Sequence, residues 1–151
     1  MRLKTLAAAT ALTLFLGGTA AAQGLSVQPG EWRTESRMTG TMQAQGMSMN
    51  LPGQTHSSTQ CISEEDATFS PDQLAEDGCT TSNVQSTDDS ISFDLTCTQQ
   101  GATINGSMKV SASDGGKTVD GTMNLNGSVP GGGKLDMKGD FSGSHVGACS
   151  S

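Results

Sequence analysis

Four closely spaced methionines are the first residues in this chain whose side chains could do chemistry. Met38, Met42, Met47 and Met49 lie in one short segment, 38–49. Thioether sulfurs are soft ligands that suit Cu(I), and flexible methionine side chains also fill cores or form adaptable apolar surfaces. The segment therefore predicts one of three roles: core packing, an apolar binding surface or a copper site.

Four cysteines, Cys61, Cys79, Cys97 and Cys149, are the second such group. No two of them have the Cys-x-x-Cys spacing of thioredoxin-like redox proteins. An even number of cysteines in an exported domain favours disulfide bonds over a metal site. We therefore predict two disulfides with a structural role.

Signatures of catalysis are missing from the sequence. His56 and His145 are far apart and belong to no paired-histidine metal motif, and no serine lies in a Gly-x-Ser-x-Gly elbow. Gly116-Lys117-Thr118 imitates the end of a phosphate loop but lies between two predicted strands. The sequence predicts a non-enzymatic protein with no catalytic residue and no cofactor.

The N-terminus has the order of a secretion signal. Arg2 and Lys4 are followed by an apolar run over residues 6–16 and then by the small residues Ala20-Ala21-Ala22. The run is shorter than the roughly 20 apolar residues of a membrane-spanning helix, so no membrane anchor is predicted. We predict a cleavable signal peptide over residues 1–22 and a single β-rich domain over residues 23–151.

The first testable prediction is that the exported protein begins at Gln23. Ala20 and Ala22 present small side chains to the signal peptidase, and cleavage is expected directly after Ala22. N-terminal sequencing of protein recovered from the envelope checks this. A terminus upstream of Ala22 would contradict it.

The charge of the chain limits its partners. Removing Arg2 and Lys4 leaves six of the eight basic residues against fifteen acidic ones, so the net charge changes from −7 to −9. Such a surface repels nucleic acid and anionic lipid, and we expect neither as a partner. Hydrophobic residues make up only 33% of the chain, a lean core that disulfides would reinforce.

Alternating apolar and polar residues predict β-strands with one buried face across the second half of the chain. The strand segments are 91–97, 104–112, 119–125 and 135–141. Gln100-Gly101 and Asp114-Gly115 are predicted hairpin turns, because glycine accepts the positive φ that such turns need. Consecutive hairpins predict an antiparallel meander.

Pairing the predicted strands about their turns sets an expected register. It places Val110 opposite Val119, Leu125 opposite Leu135, and Met42 opposite Met47. In this register the apolar residues share one face, as a correct pairing requires.

The fold class predicted from these elements is all-β, with about seven strands and one short helix. The helix is expected to begin at Ser70-Pro71-Asp72-Gln73, which combines a cap, a first-turn proline and a capping-box glutamine, and to end at Gly78. The sheet must curl into a barrel-like form or fold over as a sandwich to cover its apolar face. The barrel-like form is slightly favoured.

The same alternation predicts the disulfide pairing Cys61–Cys79 and Cys97–Cys149. If Val84 points inward opposite Ile91, Cys79 lies on the other face from Cys97 and out of its reach. The main rival pairing is Cys79–Cys97 with Cys61–Cys149. A bulge at Ser82-Asn83 would bring Cys79 to the same face as Cys97 and make that rival pairing possible.

Several short motifs in order resemble one exported bacterial family. They are Pro29-Gly30-Glu31-Trp32, the methionine-rich stretch after it, Cys61 followed by Ser63-Glu64-Glu65-Asp66-Ala67, and the terminal Gly147-Ala148-Cys149. The family is catalogued as domain of unknown function 3617. The resemblance implies a Gram-negative envelope location, usually periplasmic, and carries no established activity or catalytic residues.

Two functions remain from the sequence. The first is a non-enzymatic periplasmic binding or accessory module that holds an apolar small molecule or an envelope protein. The second is soft-metal binding, with copper held by the methionines of segment 38–49.

Overall fold

The computed structural model describes residues 24–73 and 78–150, so the predicted signal peptide lies outside the described residues. The described residues form nine strands, in most of which polar and apolar residues alternate between turn sequences. In chain order they are β1 (Leu25–Ser26), β2 (Gly30–Ala44), β3 (Met47–Ile62), β4 (Thr68–Phe69), β5 (Cys79–Ser86), β6 (Ser90–Gln99), β7 (Ala102–Ser113), β8 (Thr118–Val129) and β9 (Gly133–Gly147).

Seven of these strands form one antiparallel sheet in the order β3-β2-β9-β8-β7-β6-β5. The predicted all-β class and the meander through β5 to β9 are confirmed. The first half of the chain joins this meander through β2, which pairs with β9. Among the described strands the sheet ends at β3 on one side and β5 on the other, so no strand pairing closes it into a barrel.

The two remaining strands, β1 and β4, pair with each other and cover one end of the sheet's apolar face. Leu25 of β1 is buried against Ile91, Phe93 and Val110. Phe69 of β4 packs near Phe93, with 6.2 Å between the ring centroids. We call the region around these five residues the covered end.

Trp32 is buried near the start of β2. Its side chain is 1% exposed, its indole Nε1 donates a hydrogen bond to the Gln28 carbonyl at 2.8 Å, and its ring meets His145 edge-on. A buried tryptophan with its N–H satisfied contributes large apolar contact without an unpaired donor.

The predicted registers are wrong by two residues, while the predicted faces are right. Val110 lies opposite Gly121, Leu125 opposite Met137, and Met42 opposite Met49. The cause is the turns, which lie further along the chain than expected. A shift of two keeps every side chain on its own face, because strand side chains alternate with period two.

The turn between β7 and β8 shows how the register moved. Asp114 and Gly115 both have positive φ, at 52° and 65°, as predicted, but Gly116 continues the turn at 81°. The strand pair next to the turn is therefore Ser113 opposite Thr118. The predicted turn at Gln100-Gly101 is confirmed, with φ values of 50° and 82°.

In the predicted short helix, residues 71–73 form a 3-10 turn, and residues 74–77 lie outside the described residues. The capping box is partly formed, since the Ser70 amide donates to Gln73 Oε1 at 3.3 Å. Helical structure elsewhere in the described ranges is also 3-10 only.

Two disulfides are present as predicted, but the predicted pairing is wrong. Cys61 is bonded to Cys149 and Cys79 to Cys97, so neither Cys61–Cys79 nor Cys97–Cys149 forms. Cys79 lies directly opposite Cys97 on β5 and β6, with 4.0 Å between their α-carbons.

A β-bulge in β5 explains the error in the pairing. The register between β5 and β6 shifts between Ser82 and Gln85, and Asn83 within the shift has φ of 52°. The extra residue lets Val84 pack against the core while Cys79 returns to the face of Cys97.

Candidate functional site

The apolar face of the sheet extends past the covered end, toward the turns at residues 45–46 and 130–132. Met42 lies opposite Met49 on β3 and opposite Leu135 on β9. Directly opposed residues of an antiparallel pair project to the same face. We call the part of this face beyond the covered end the methionine face, which consists of Met38, Met42, Met47, Met49, Leu51, Met123, Leu135 and Met137.

Glycines on this face let the long methionine side chains meet. A β-carbon placed on Gly139 would lie 3.5 Å from Met38 Cγ and 3.7 Å from Met123 Cε. A β-carbon on Gly40 would lie 3.0 Å from Met137 Cγ. The methionines of three strands therefore converge over positions that have no side chain of their own.

Exposure rises toward the β2–β3 turn. Met38, Met42, Met123 and Met137 are half-buried, while Met47 and Met49 are 66% and 52% exposed. Among the described residues, β1 and β4 are the only strands outside the large sheet, and β1 contacts β7 at the covered end. No described strand lies over the methionine face.

The predicted site residues fall on this face, with neighbours that the sequence did not reveal. Met42 and Met49 are brought directly together, Met47 lies opposite Ala44, and Met38 stands further along β2. Met123, Leu135 and Met137 join them because β2 pairs with β9. Alternation showed that these three side chains face inward, but nothing local to either strand indicated the β2–β9 pairing.

The chemistry that this face offers is apolar contact and thioether sulfur. In the described ranges no polar or charged side chain is buried, and no group of three or more His, Cys, Asp and Glu could hold a metal ion. His56 and His145 remain on separate strands, β3 and β9, and His145 Nε2 lies 3.1 Å from the Pro29 carbonyl oxygen. All four cysteines are in disulfides.

The opposite face of the sheet is polar and carries shallow grooves between rows of side chains. One groove of about 420 Å³ is lined mainly by hydroxyl, amide and charged residues, including Thr41, Asn105, Asn126, Lys134 and Asp136. Its walls follow the ordinary alternation of the strands.

Taken together, the fold and the site define a disulfide-bonded all-β protein with an open seven-stranded sheet and a partly uncovered apolar face. Within the ranges described, no helix is long and apolar enough to cross a membrane.

The chain belongs to the family described as a protein of unknown function, DUF3617, whose family model matches residues 27–149. This match confirms the family that the sequence motifs resemble. No curated protein and no solved structure shows significant similarity to the chain.

Proposed function

We propose that this protein is a non-enzymatic binding module of the Gram-negative envelope that holds an apolar small molecule against the methionine face. It acts in the periplasm after removal of residues 1–22. The sequence supports export through its N-terminal signal, and two disulfides suit an oxidising compartment.

The observation that carries this proposal is the exposure at the end of the methionine face. Met47 and Met49 are two of the three large hydrophobic residues classed as exposed in the described chain. Exposed apolar side chains that adjoin further apolar surface mark binding sites more often than isolated ones do. Here both residues continue a row of half-buried methionines and leucines.

The size of the exposed strip favours a small molecule over a protein partner. One side of a standard protein–protein interface covers roughly 800 Å². Most members of the methionine face are half-buried, and only Met47 and Met49 project well into solvent. A narrow apolar strip of this kind fits one acyl chain or a small ring system.

Methionine and net charge together narrow the class of ligand. Methionine side chains rearrange easily, so they fit apolar ligands of varied shape. The exported chain carries a net charge of −9 after loss of Arg2 and Lys4 from a chain of net charge −7. An uncharged ligand avoids the electrostatic repulsion that an anionic one would meet.

Titration with the uncharged fluorescent probe N-phenylnaphthylamine tests the proposal. We expect enhanced fluorescence with the exported protein and an affinity about tenfold weaker for Met49→Gln, because an amide replaces apolar surface of similar length. The matched control is Val146→Gln, since Val146 is 45% exposed but lies outside the methionine face. No enhancement with the unsubstituted protein, or equal losses in both variants, would contradict the proposal.

Soft-metal binding is the second candidate, supported by the direct opposition of Met42 and Met49. Two thioethers on adjacent strands, with Met47 nearby, offer sulfur ligands to Cu(I). Met42→Leu separates the two functions, because leucine keeps the apolar surface and removes the sulfur. A copper adduct in native mass spectra that disappears in this variant would favour the metal, while unchanged probe binding would favour the apolar ligand.

A further inference from the structure

The outer edge of β3 is long, exposed and uncharged. β3 has 16 residues, pairs with β2 on one side, and has no partner on the other side in the described part of the chain. It contains no Asp, Glu, Lys or Arg. Proteins usually protect a sheet edge with charged side chains, proline, a bulge or a short strand, because free backbone groups recruit other strands.

The other edge of the sheet is protected. β5 has eight residues, a bulge between Ser82 and Gln85, and a disulfide that fastens Cys79 to Cys97. On β3 the protection is confined to Pro52, where the pairing with β2 shifts register, and to the Cys61–Cys149 disulfide at the end of the strand. The stretch over residues 54–60 beyond Pro52 is free of proline, glycine and charge, and every residue in it except Ser58 is exposed.

We propose that the β3 edge pairs with the β3 edge of a second copy of this chain. An antiparallel pair of identical strands is self-complementary and closes as a twofold dimer. Pairing of β3 with β5 of another copy would instead leave further free edges, and the bulge in β5 disrupts its hydrogen-bonding ladder.

Charge does not oppose a second copy at this edge, although the whole chain is acidic. Because β3 has no charged residue, no like charges meet across the twofold axis. On β2, the residues next to this stretch on the polar face are Arg33, Glu35 and Arg37, which lie opposite Thr59, Ser57 and Thr55. The surroundings of the edge are therefore slightly basic, in contrast to the net acidity of the whole chain.

The register of the pair follows from the alternation of side chains. Opposed residues must share a face, and centring the pairing on residues 54–60 puts Ser57 opposite Ser57 of the second copy. The twofold axis is then perpendicular to the sheet. Both copies present their apolar faces on the same side, so the two methionine faces belong to one continuous sheet.

Sedimentation velocity of the exported, disulfide-bonded protein tests the pairing. At concentrations on the order of 100 µM, where even micromolar association is saturated, we expect the mass of a dimer. Ser57→Lys should weaken the dimer at least about tenfold, since like charges directly opposite each other destabilise a strand pair. Within one copy the new lysine lies opposite Glu35, so the fold is retained.

Thr80→Lys is the matched control, because it adds the same charge to the exposed β5 edge. We expect it to leave the dimer intact. Hydrogen exchange of the unsubstituted protein supplies a second readout: amides over residues 54–60 should exchange more slowly at high concentration than at low, and those of β5 should not change.

A monomer at high concentration would overturn the proposal, as would a dimer that Ser57→Lys leaves unchanged or that both substitutions weaken equally. Exchange that is independent of concentration over residues 54–60 would also overturn it. None of these results depends on whether the methionine face binds a ligand, so the dimer and the proposed function are tested separately.

Discussion

Replacing Cys61 and Cys149 with serine is expected to lower the free energy of unfolding by about 4–5 kcal/mol, against about 3 kcal/mol for replacing Cys79 and Cys97. In the chain-entropy model, a disulfide stabilises by restricting the unfolded chain, and a longer closed loop restricts it more. The two bonds span sequence separations of 88 and 18 residues.

The location of the longer bond adds to its expected effect. Cys61 lies near the end of the edge strand β3, and Cys149 follows β9, which is on the other side of β2. The bond therefore ties both neighbours of β2 together, and Ser150 next to it donates a hydrogen bond to Glu31 of β2 at 3.0 Å. Loss of this bond frees the C-terminal tail and one end of the sheet edge.

Urea denaturation of the two double-serine variants and the unsubstituted protein measures these costs. Each double variant is the control for the other, because both remove one bond and leave no unpaired cysteine. A larger cost for the Cys79–Cys97 pair would contradict the entropic account. Peptide mapping that links Cys61 to Cys79 would contradict the bonding itself.

Substituting Gly121 with alanine is expected to cost about 2–3 kcal/mol, the usual penalty for overpacking a well-filled position. A β-carbon on Gly121 would overlap the Cε1 and Cζ atoms of Phe141, which lies opposite this glycine on the neighbouring strand. Phe141 packs against the buried core, so its ring cannot move without opening contacts at the covered end.

Gly139→Ala is the matched control, because it changes a glycine on the same face of the same strand pair. A β-carbon there would be 3.4 Å or more from its nearest neighbours, an ordinary contact distance. We expect a change within about 0.5 kcal/mol. The combined variant Gly121→Ala with Phe141→Leu should recover part of the loss, and equal costs at the two glycines would refute this account of the packing.

Alternation in the sequence was sufficient to predict which face of β2 and of β6 to β9 is buried. Apolar residues such as Val110, Leu125 and Met42 recur with period two, and burial of one face depends only on that period. Predicting the register also requires knowing where each turn begins and ends. Gly116 extends one turn by positive φ, and two-residue shifts of this kind leave the apolar pattern unchanged.

The disulfide pairing could not be predicted from alternation, because the face on which Cys79 lies depends on one irregular residue. Asn83 adopts positive φ inside β5 and reverses the parity of every residue before it in that strand. Asparagine tolerates this conformation better than most residues, which is the one local signal of the bulge. The sequence pattern of Val84 and Ile91 gave no sign of it.

The full extent of the methionine face was also hidden from the sequence. Met42 and Met49 are close in the chain and their hairpin was predicted, but Met137 joins them only through the pairing of β2 with β9. That contact connects strands from opposite ends of the domain. Long-range pairing of this kind depends on the whole sheet, and the sequence of either strand alone does not predict it.

The most direct test of the proposed function is NMR of methionine methyl groups, labelled with carbon-13, during titration with N-phenylnaphthylamine. The central claim predicts shifts of the Met42, Met47, Met49 and Met137 signals. Met108 packs against the core at the covered end and lies opposite Met123, so its signal should shift less than these four. Shifts confined to Met108, or no shift of any methionine signal at saturating probe, would contradict the claim that the methionine face is the binding site.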